Sequence, residues 1–372
     1  MKRILCLDGG GIRGVFTLEV LLKIEEVLRE YYAKQDPKKA EKFVLRDHFD
    51  FLAGTSTGAI IATCLCWGMS IEQVRDLYLR EGQKMFSSWG KMADKLNAKY
   101  DPGPISKFLQ GLFKEMDGSE AMLSSDLLRN GEKDNLLMVV LRNHTDGSPW
   151  LLTNNQHARY NDPSGPYGNV QIPLWMLVRA STAAPAFFPP ERIELGETES
   201  VFVDGSITPY SNPALIAALT AIMPSYRIQW PTGPENIRVV SIGTLSFSSE
   251  LPVSNPKLLS GALADKVPAA LLQSIGCQQD YLCRCLGECI FGEEPGGEFG
   301  DLLVSNPESA PPPGRSWFSY VRYNRSYKKK EMQNTLREHP DLARLDAAAV
   351  IHYLIAVGRQ YAEANVKLEH LV

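Results

Sequence analysis

Gly54-Thr55-Ser56-Thr57-Gly58 has the pattern G-x-S-x-G and stands between an apolar run and a small-residue run. That is the strand-to-helix context of a nucleophile elbow. Its neighbours must be small because the backbone is crowded, its hydroxyl projects outward, and the following helix turns its positive end toward developing negative charge. A serine hydroxyl attacks only when a base takes its proton. Asp204, before Gly205 at the end of SVFVDG, is one candidate base, although Asp-Gly is also an ordinary turn. Histidine is the other. His339, His352 and His370 follow Asp204, so a Ser-Asp-His order is available. His352, within AAAVIHYLIAVG, reads as a core histidine, and His370 lies close to the terminus, where fraying is expected. His48, His144 and His157 have no motif around them.

A second cluster is Gly9-Gly10-Gly11-Ile12-Arg13-Gly14, a formal G-x-G-x-x-G after an apolar run. Bare backbone there can cradle a nucleotide's phosphates or hold the oxyanion of a cleaved ester. A dinucleotide site also wants an acid at the end of the second strand, and here that strand runs into GTSTG. The first strand ends in Asp8, whose charge repels a pyrophosphate. The nucleotide reading is left without its supporting contacts.

The elements that must position these residues follow from periodicity. Short apolar runs at 4–7, 48–53, 135–142, 200–205 and 237–244 read as strands. Helical stripes follow Gly14 and occur near 71–86, 105–115 and 173–190, and the small-residue helix after Gly54 must be buried nearly all round. Alternating strands and helices predict an α/β three-layer sandwich around a largely parallel sheet. Residues 256–291 and 328–371 read as helical, joined by a glycine- and proline-rich stretch at 293–314. We therefore expect a catalytic α/β part over 1–250 and a helical C-terminal extension, packed on it, over 251–372.

Composition bounds the rest. With 372 residues, 44% of them hydrophobic, the chain can bury a sizeable core, and a net charge of -4 argues against a nucleic-acid polymer as partner. Seven cysteines, an odd number in a large chain, fit reduced thiols in a cytoplasm. Cys283, Cys285 and Cys289 lack the paired spacing and nearby histidine of a metal site, and nothing in the pattern requires a metal or other cofactor. The start MKRILCL imitates a signal peptide, but Asp8 ends its apolar run early. No uninterrupted apolar stretch reaches about 18 residues, so membrane contact is expected to be peripheral.

Three blocks in order, DGGGIRG at 8–14, GTSTG at 54–58 and DG at 204–205 followed by NPALIAA, resemble the patatin-like phospholipase family. RASTAAPAFFPP at 179–190 resembles the block this family carries ahead of its aspartate, and the resemblance spans about residues 3–245. It implies that Ser56 is the nucleophile, Asp204 the general base of a dyad without histidine, and Gly54 and Gly58 the flanks of the elbow. It also implies that Gly9, Gly10, Gly11, Arg13 and Gly14 form the oxyanion loop, the N–H groups of Gly10 and Gly11 facing the carbonyl oxygen. One departure is Ser206, where the family usually has alanine or glycine.

The expected activity is serine lipid acyl hydrolysis of membrane glycerophospholipids. The chain also resembles bacterial patatin-like effectors that a cyclic dinucleotide switches on in antiphage defence, which implies such an activator; a homo-oligomer is a further expectation. Residues 86–122, mixing aromatic, apolar and lysine residues, suit a lid or interfacial helix, with amphipathic packing as the alternative. WFSYVRYNRSYKKKEMQNTLR at 317–337 reads as a solvated helix face or a patch for lipid headgroups or a phosphorylated regulator. The competing functions are a nucleotide-binding module and an inactive membrane or partner scaffold.

Overall fold

The structure, a computed structural model, describes residues 1–85, 101–128, 135–162, 168–185, 187–195, 198–247, 267–294, 316–344 and 348–372, with 300 and 346. Successive side chains of each central strand face opposite sides of the sheet. Ile4 and Cys6 of β1 (Lys2–Leu7), Phe51 and Ala53 of β2 (Phe51–Thr55), and Met138 and Val140 of β3 (Leu136–Asn143) enter one core. Leu5, Leu7, Leu52, Leu137 and Val139 enter the other. Strands that are apolar on both faces belong between two helix layers.

The further strands are β4 (Pro149–Thr153), β5 (Glu191–Leu195), β6 (Thr198–Asp204), β7 (Ile237–Ile242), β8 (Ser246–Phe247), β9 (Glu288–Phe291), β10 (Ser319–Tyr323) and β11 (Ser326–Tyr327). The main sheet runs β5-β6-β3-β2-β1-β7-β10-β9, and β4 also pairs with β3. Neighbours from β3 through to β9 are parallel, whereas β4 and β6 run antiparallel to β3, and β5 antiparallel to β6.

Helices α1 (Gly14–Ala33), α2 (Pro37–Glu41), α3 (Thr57–Cys66), α4 (Ile71–Met85), α5 (Gly103–Leu112), α6 (Leu174–Ser181), α7 (Ala214–Ile222), α8 (Val267–Leu286), α9 (Lys329–Glu338) and α10 (Ile351–Asn365) complete the described elements. α1, α3 and α10 cover one face of the sheet and α7 and α8 the other. Every residue of α3 is buried. The architecture is the α/β sandwich with a helical C-terminal extension.

Several local expectations change. The helix read over 173–190 ends at Ser181, where the chain turns so that Ala183 O can accept the N–H of Asp204 at 3.0 Å. The helix read over 256–291 ends by Leu286, and β9 follows. The run around 317–337 is not one solvated helix face. Its first part is β10, buried throughout and paired with β7 and β9. Residues 86–100, 256–266 and 295–299, and most of 300–314, lie outside the described residues, so of the stretch read as a lid or packed helix only 101–122 is described, as α5 and the turn after it. Among the described residues no helix is long and apolar enough to cross a membrane.

Candidate active site

Strand register places the site. β1 and β2 are parallel with Leu7 opposite Gly54, so the glycine loop and Ser56 leave the same edge of the sheet. Thr55 is opposite Val140, and Leu141, one residue further along β3, is opposite Asp204. β6 is antiparallel, so Asp204 reaches this edge by approaching from beyond the end of β2. Asp204 thus shares the edge with Ser56 without sharing the strand direction of β1, β2 and β3.

Ser56 caps α3 in a left-handed conformation, φ 54° and ψ -121°. Such a conformation costs a non-glycine residue about 1–3 kcal/mol and persists only where surroundings fix it. Here the Ser56 N–H donates to Ser181 Oγ at 2.9 Å, and Ser181 Oγ donates to Val140 O at 2.7 Å. Thr55 Oγ1 donates to Tyr210 O at 2.7 Å. The two motif glycines are required by close approach: a Cβ on Gly54 would strike the Gly58 carbonyl, and one on Gly58 the Leu7 carbonyl. The elbow therefore lies directly against the start of the glycine loop.

Ser56 Oγ donates to Asp204 Oδ2 at 2.6 Å, and the other carboxylate oxygen accepts the Ser206 N–H at 2.7 Å. Both residues are buried. Burial raises the Asp204 carboxyl to about 6, opposed by the hydrogen bonds from Ser56 and Ser206 and by the charge of Arg179. A carboxyl tuned so is ionised at neutral pH yet a better proton acceptor than a free aspartate.

In the glycine loop Gly11 has φ 59°, a conformation open to glycine at no steric cost. The Gly9 N–H donates to Ser211 O at 3.0 Å, and Gly14 opens α1. The amides of Gly10 and Gly11 have no hydrogen-bond partner among the described residues. Arg13 is largely withdrawn from solvent, which lowers it to about 10; its N–H donates to Gly10 O at 3.2 Å. Ser206, the departure from the family pattern, lies against Gly9, where a Cβ would meet its hydroxyl.

Asp8 does not present a free charge to a ligand. Its carboxylate takes both Arg322 Nη1 at 2.9 Å and Nη2 at 2.5 Å, and Nη1 also donates to Ser241 Oγ at 2.7 Å. Arg322 is buried in β10, which overturns its reading as a headgroup-binding cation. Ser56 and Asp204 hydrogen-bond to one another and to Ser181 and Ser206, and no histidine is among these partners. His352 is exposed rather than in the core. His370 is buried instead of frayed, its Nδ1 2.9 Å from the Tyr323 hydroxyl and its ring stacked on Phe291. Sequence reasoning missed Ser181, Tyr78 and Thr244. Ser181 lies within the RASTAAPAFFPP block, which by itself assigns it no role; Tyr78 and Thr244 are of common types with no pattern in their spacing, and only the fold brings them to the site.

Fold and site together define an α/β protein with a serine on a strand-to-helix turn and a buried aspartate as its partner. The family model for patatin-like phospholipases matches residues 5–218, more than half of the chain, and the chain belongs to that family. It is similar to an Escherichia coli (strain TW11681) protein named cGAMP-activated phospholipase, 28% identical over 69% of this chain and 65% of that one. A Vibrio cholerae protein of the same name is 26% identical over 70% of this chain and 69% of its own length. A Caenorhabditis elegans intracellular phospholipase A2 is 30% identical over 57% of this chain, but the match spans only 16% of that larger protein.

Proposed function

We propose that this chain is a serine lipid acyl hydrolase of the phospholipase A type, with Ser56 as nucleophile and Asp204 as general base. The observation that carries the reading is the 2.6 Å hydrogen bond between them at a positive-φ elbow. Asp204 accepts the hydroxyl proton as Ser56 Oγ bonds to the ester carbonyl carbon. The carbonyl oxygen becomes an anion, stabilised by the N–H groups of Gly10 and Gly11 and the N-terminal end of α3. As the carbonyl re-forms, the ester C–O bond breaks, and the departing alkoxide takes the proton from Asp204. Water then attacks the acyl-enzyme, giving its proton to Asp204, and the fatty acid leaves as Ser56 regains a proton.

Membrane glycerophospholipids are the proposed substrate, met by peripheral contact; the family and the phospholipase names of the relatives support this. In this reading residues 1–250 carry the catalysis, and the described part of 251–372 adds two strands to the same sheet. Activation by a cyclic dinucleotide, with a role in antiphage defence, is carried over from the names and resemblance of the bacterial relatives.

The test is hydrolysis of glycerophospholipid vesicles and labelling by a fluorophosphonate, with and without a panel of cyclic di- and trinucleotides. Ser56→Ala is expected to abolish both signals, and Asp204→Asn to slow hydrolysis by about 10²- to 10⁴-fold. A Ser56→Ala protein that stays labelled and active overturns the reading. Saturable nucleotide binding lost on altering Gly11, with no hydrolysis under any condition, replaces it with a nucleotide-binding module.

A further inference from the structure

Three successive carbonyls of the glycine loop are held by donors from different parts of the chain. Gly9 O accepts from Thr244 Oγ1 at 3.1 Å, Gly10 O from the Arg13 N–H at 3.2 Å, and Gly11 O from the Tyr78 hydroxyl at 2.6 Å. The described chain has no cis peptide bond. In a trans peptide the C=O of one residue and the N–H of the next point in opposite directions. Fixing a carbonyl therefore aims the following amide. Thr244, just beyond β7, aims the N–H of Gly10; the Arg13 amide aims that of Gly11; Tyr78 fixes the next peptide plane, whose N–H is that of Ile12, and so limits rotation at Gly11, which stands at positive φ.

Tyr78, fully buried on α4, reaches further than the loop. Its hydroxyl is 2.5 Å from Thr57 Oγ1. A carbonyl can only accept, so the single phenol proton goes to Gly11 O and Thr57 is the donor to Tyr78. The directed chain Thr57 to Tyr78 to Gly11 joins the residue after Ser56 to the loop that faces it. Thr244 braces the other side, where its side chain occupies the space a Cβ on Gly10 would need. Neither hydroxyl has another assigned catalytic task.

We propose that Thr244 and Tyr78 are positioning residues: the Thr244 hydroxyl keeps the Gly10 amide aimed at the oxygen of the carbonyl that Ser56 attacks, and the Tyr78 hydroxyl, by holding the peptide plane after Gly11, steadies the Gly11 amide from its other side. The proposal rests on the Ser56–Asp204 reading above. Its physical content is preorganisation: donors fixed before reaction need not reorient as charge develops. Loss of either anchor lets a peptide plane swing, which lowers transition-state stabilisation more than substrate binding.

Tyr78→Phe and Thr244→Val each remove one hydroxyl and keep the side-chain shape. The full chain is assayed with a fluorogenic carboxylic ester and its thiono analogue, with Ser56→Ala as blank and a thermal melt on each variant. The oxygen-ester kcat is expected to fall by about 10- to 100-fold with KM little changed. The preference for the oxygen ester over the thiono ester is expected to shrink, because the sulfur anion accepts weaker hydrogen bonds and so depends less on the aimed amides. General loosening lowers both substrates equally. Equal loss on the two esters, or an unchanged kcat in both variants while Ser56→Ala is inactive, overturns the positioning role and leaves the dyad standing. A fully active Ser56→Ala overturns the dyad itself. If one variant does not fold, the other decides by the same criteria.

Discussion

At Asp204, burial raises the carboxyl to about 6, while hydrogen bonds from Ser56 and Ser206 and the charge of Arg179 pull it down. The proposed base works only when ionised. Hydrolysis should therefore be lost as pH falls through about 6 and level off above it, provided this carboxyl governs the acidic limb. Arg179 is fully buried, 3.9 Å through Nε from Glu191 and donating through Nη2 to Pro189 O at 3.1 Å, and it stabilises the ionised Asp204 across a low-dielectric interior. Arg179→Met removes that positive charge, so the carboxyl should rise further and the acidic limb of kcat/KM move to higher pH. The measurement is a pH–rate profile of folded variant and parent side by side. A midpoint that stays, or moves toward acid, would show that Arg179 does not act on the base.

Among the elements, β10 makes the least expected contribution, because SYVRY looks like surface and is buried. The Asp8–Arg322 pair resolves the conflict: a buried guanidinium is tolerable when two carboxylate oxygens and Ser241 Oγ accept hydrogen bonds from its N–H groups. Removing one partner strands the other's charge, so Arg322→Met should cost about 3–5 kcal/mol in denaturant unfolding. Adding Asp8→Asn should recover a large share; a double variant as unstable as Arg322→Met alone would mean the loss was packing, not charge. The same contrast explains what the sequence revealed. β1, α1, β2 and α3 were readable because apolar residues repeat at the period of the element and glycines mark the turns between them. β9 and β10 were not, because their pairing spans long stretches of chain and their polar residues are neutralised only by partners far away in sequence. At the site, Ser56, Asp204 and the glycine loop were visible as motifs; Ser181, Tyr78 and Thr244, which fix their geometry, act through backbone carbonyls and amides that no side-chain pattern announces.

Across the whole molecule, the end of the sheet opposite the proposed site is tied together by the segment after α10. The proposed catalytic groups leave the C-terminal ends of β1 and β2, while residues 369–372 seat against the other end. There Leu371 is fully buried, and its carbonyl accepts from Arg3 Nε at 3.3 Å and lies 3.1 Å from His48 Nε2. Arg238, at the start of β7, donates to Glu369 O at 3.2 Å and to Val372 O. These bonds join two sheet strands, β1 and β7, and the turn before β2 to the segment after α10, and α10 packs on α1, whose first residue closes the glycine loop. Truncating Leu371 to alanine should therefore act on stability alone: about 2–5 kcal/mol lost through the cavity, with the pH midpoint of hydrolysis unchanged in the protein that remains folded. Denaturant unfolding gives the first quantity and the pH–rate profile the second. A shifted midpoint at Leu371→Ala would mean that the two ends are coupled through the sheet.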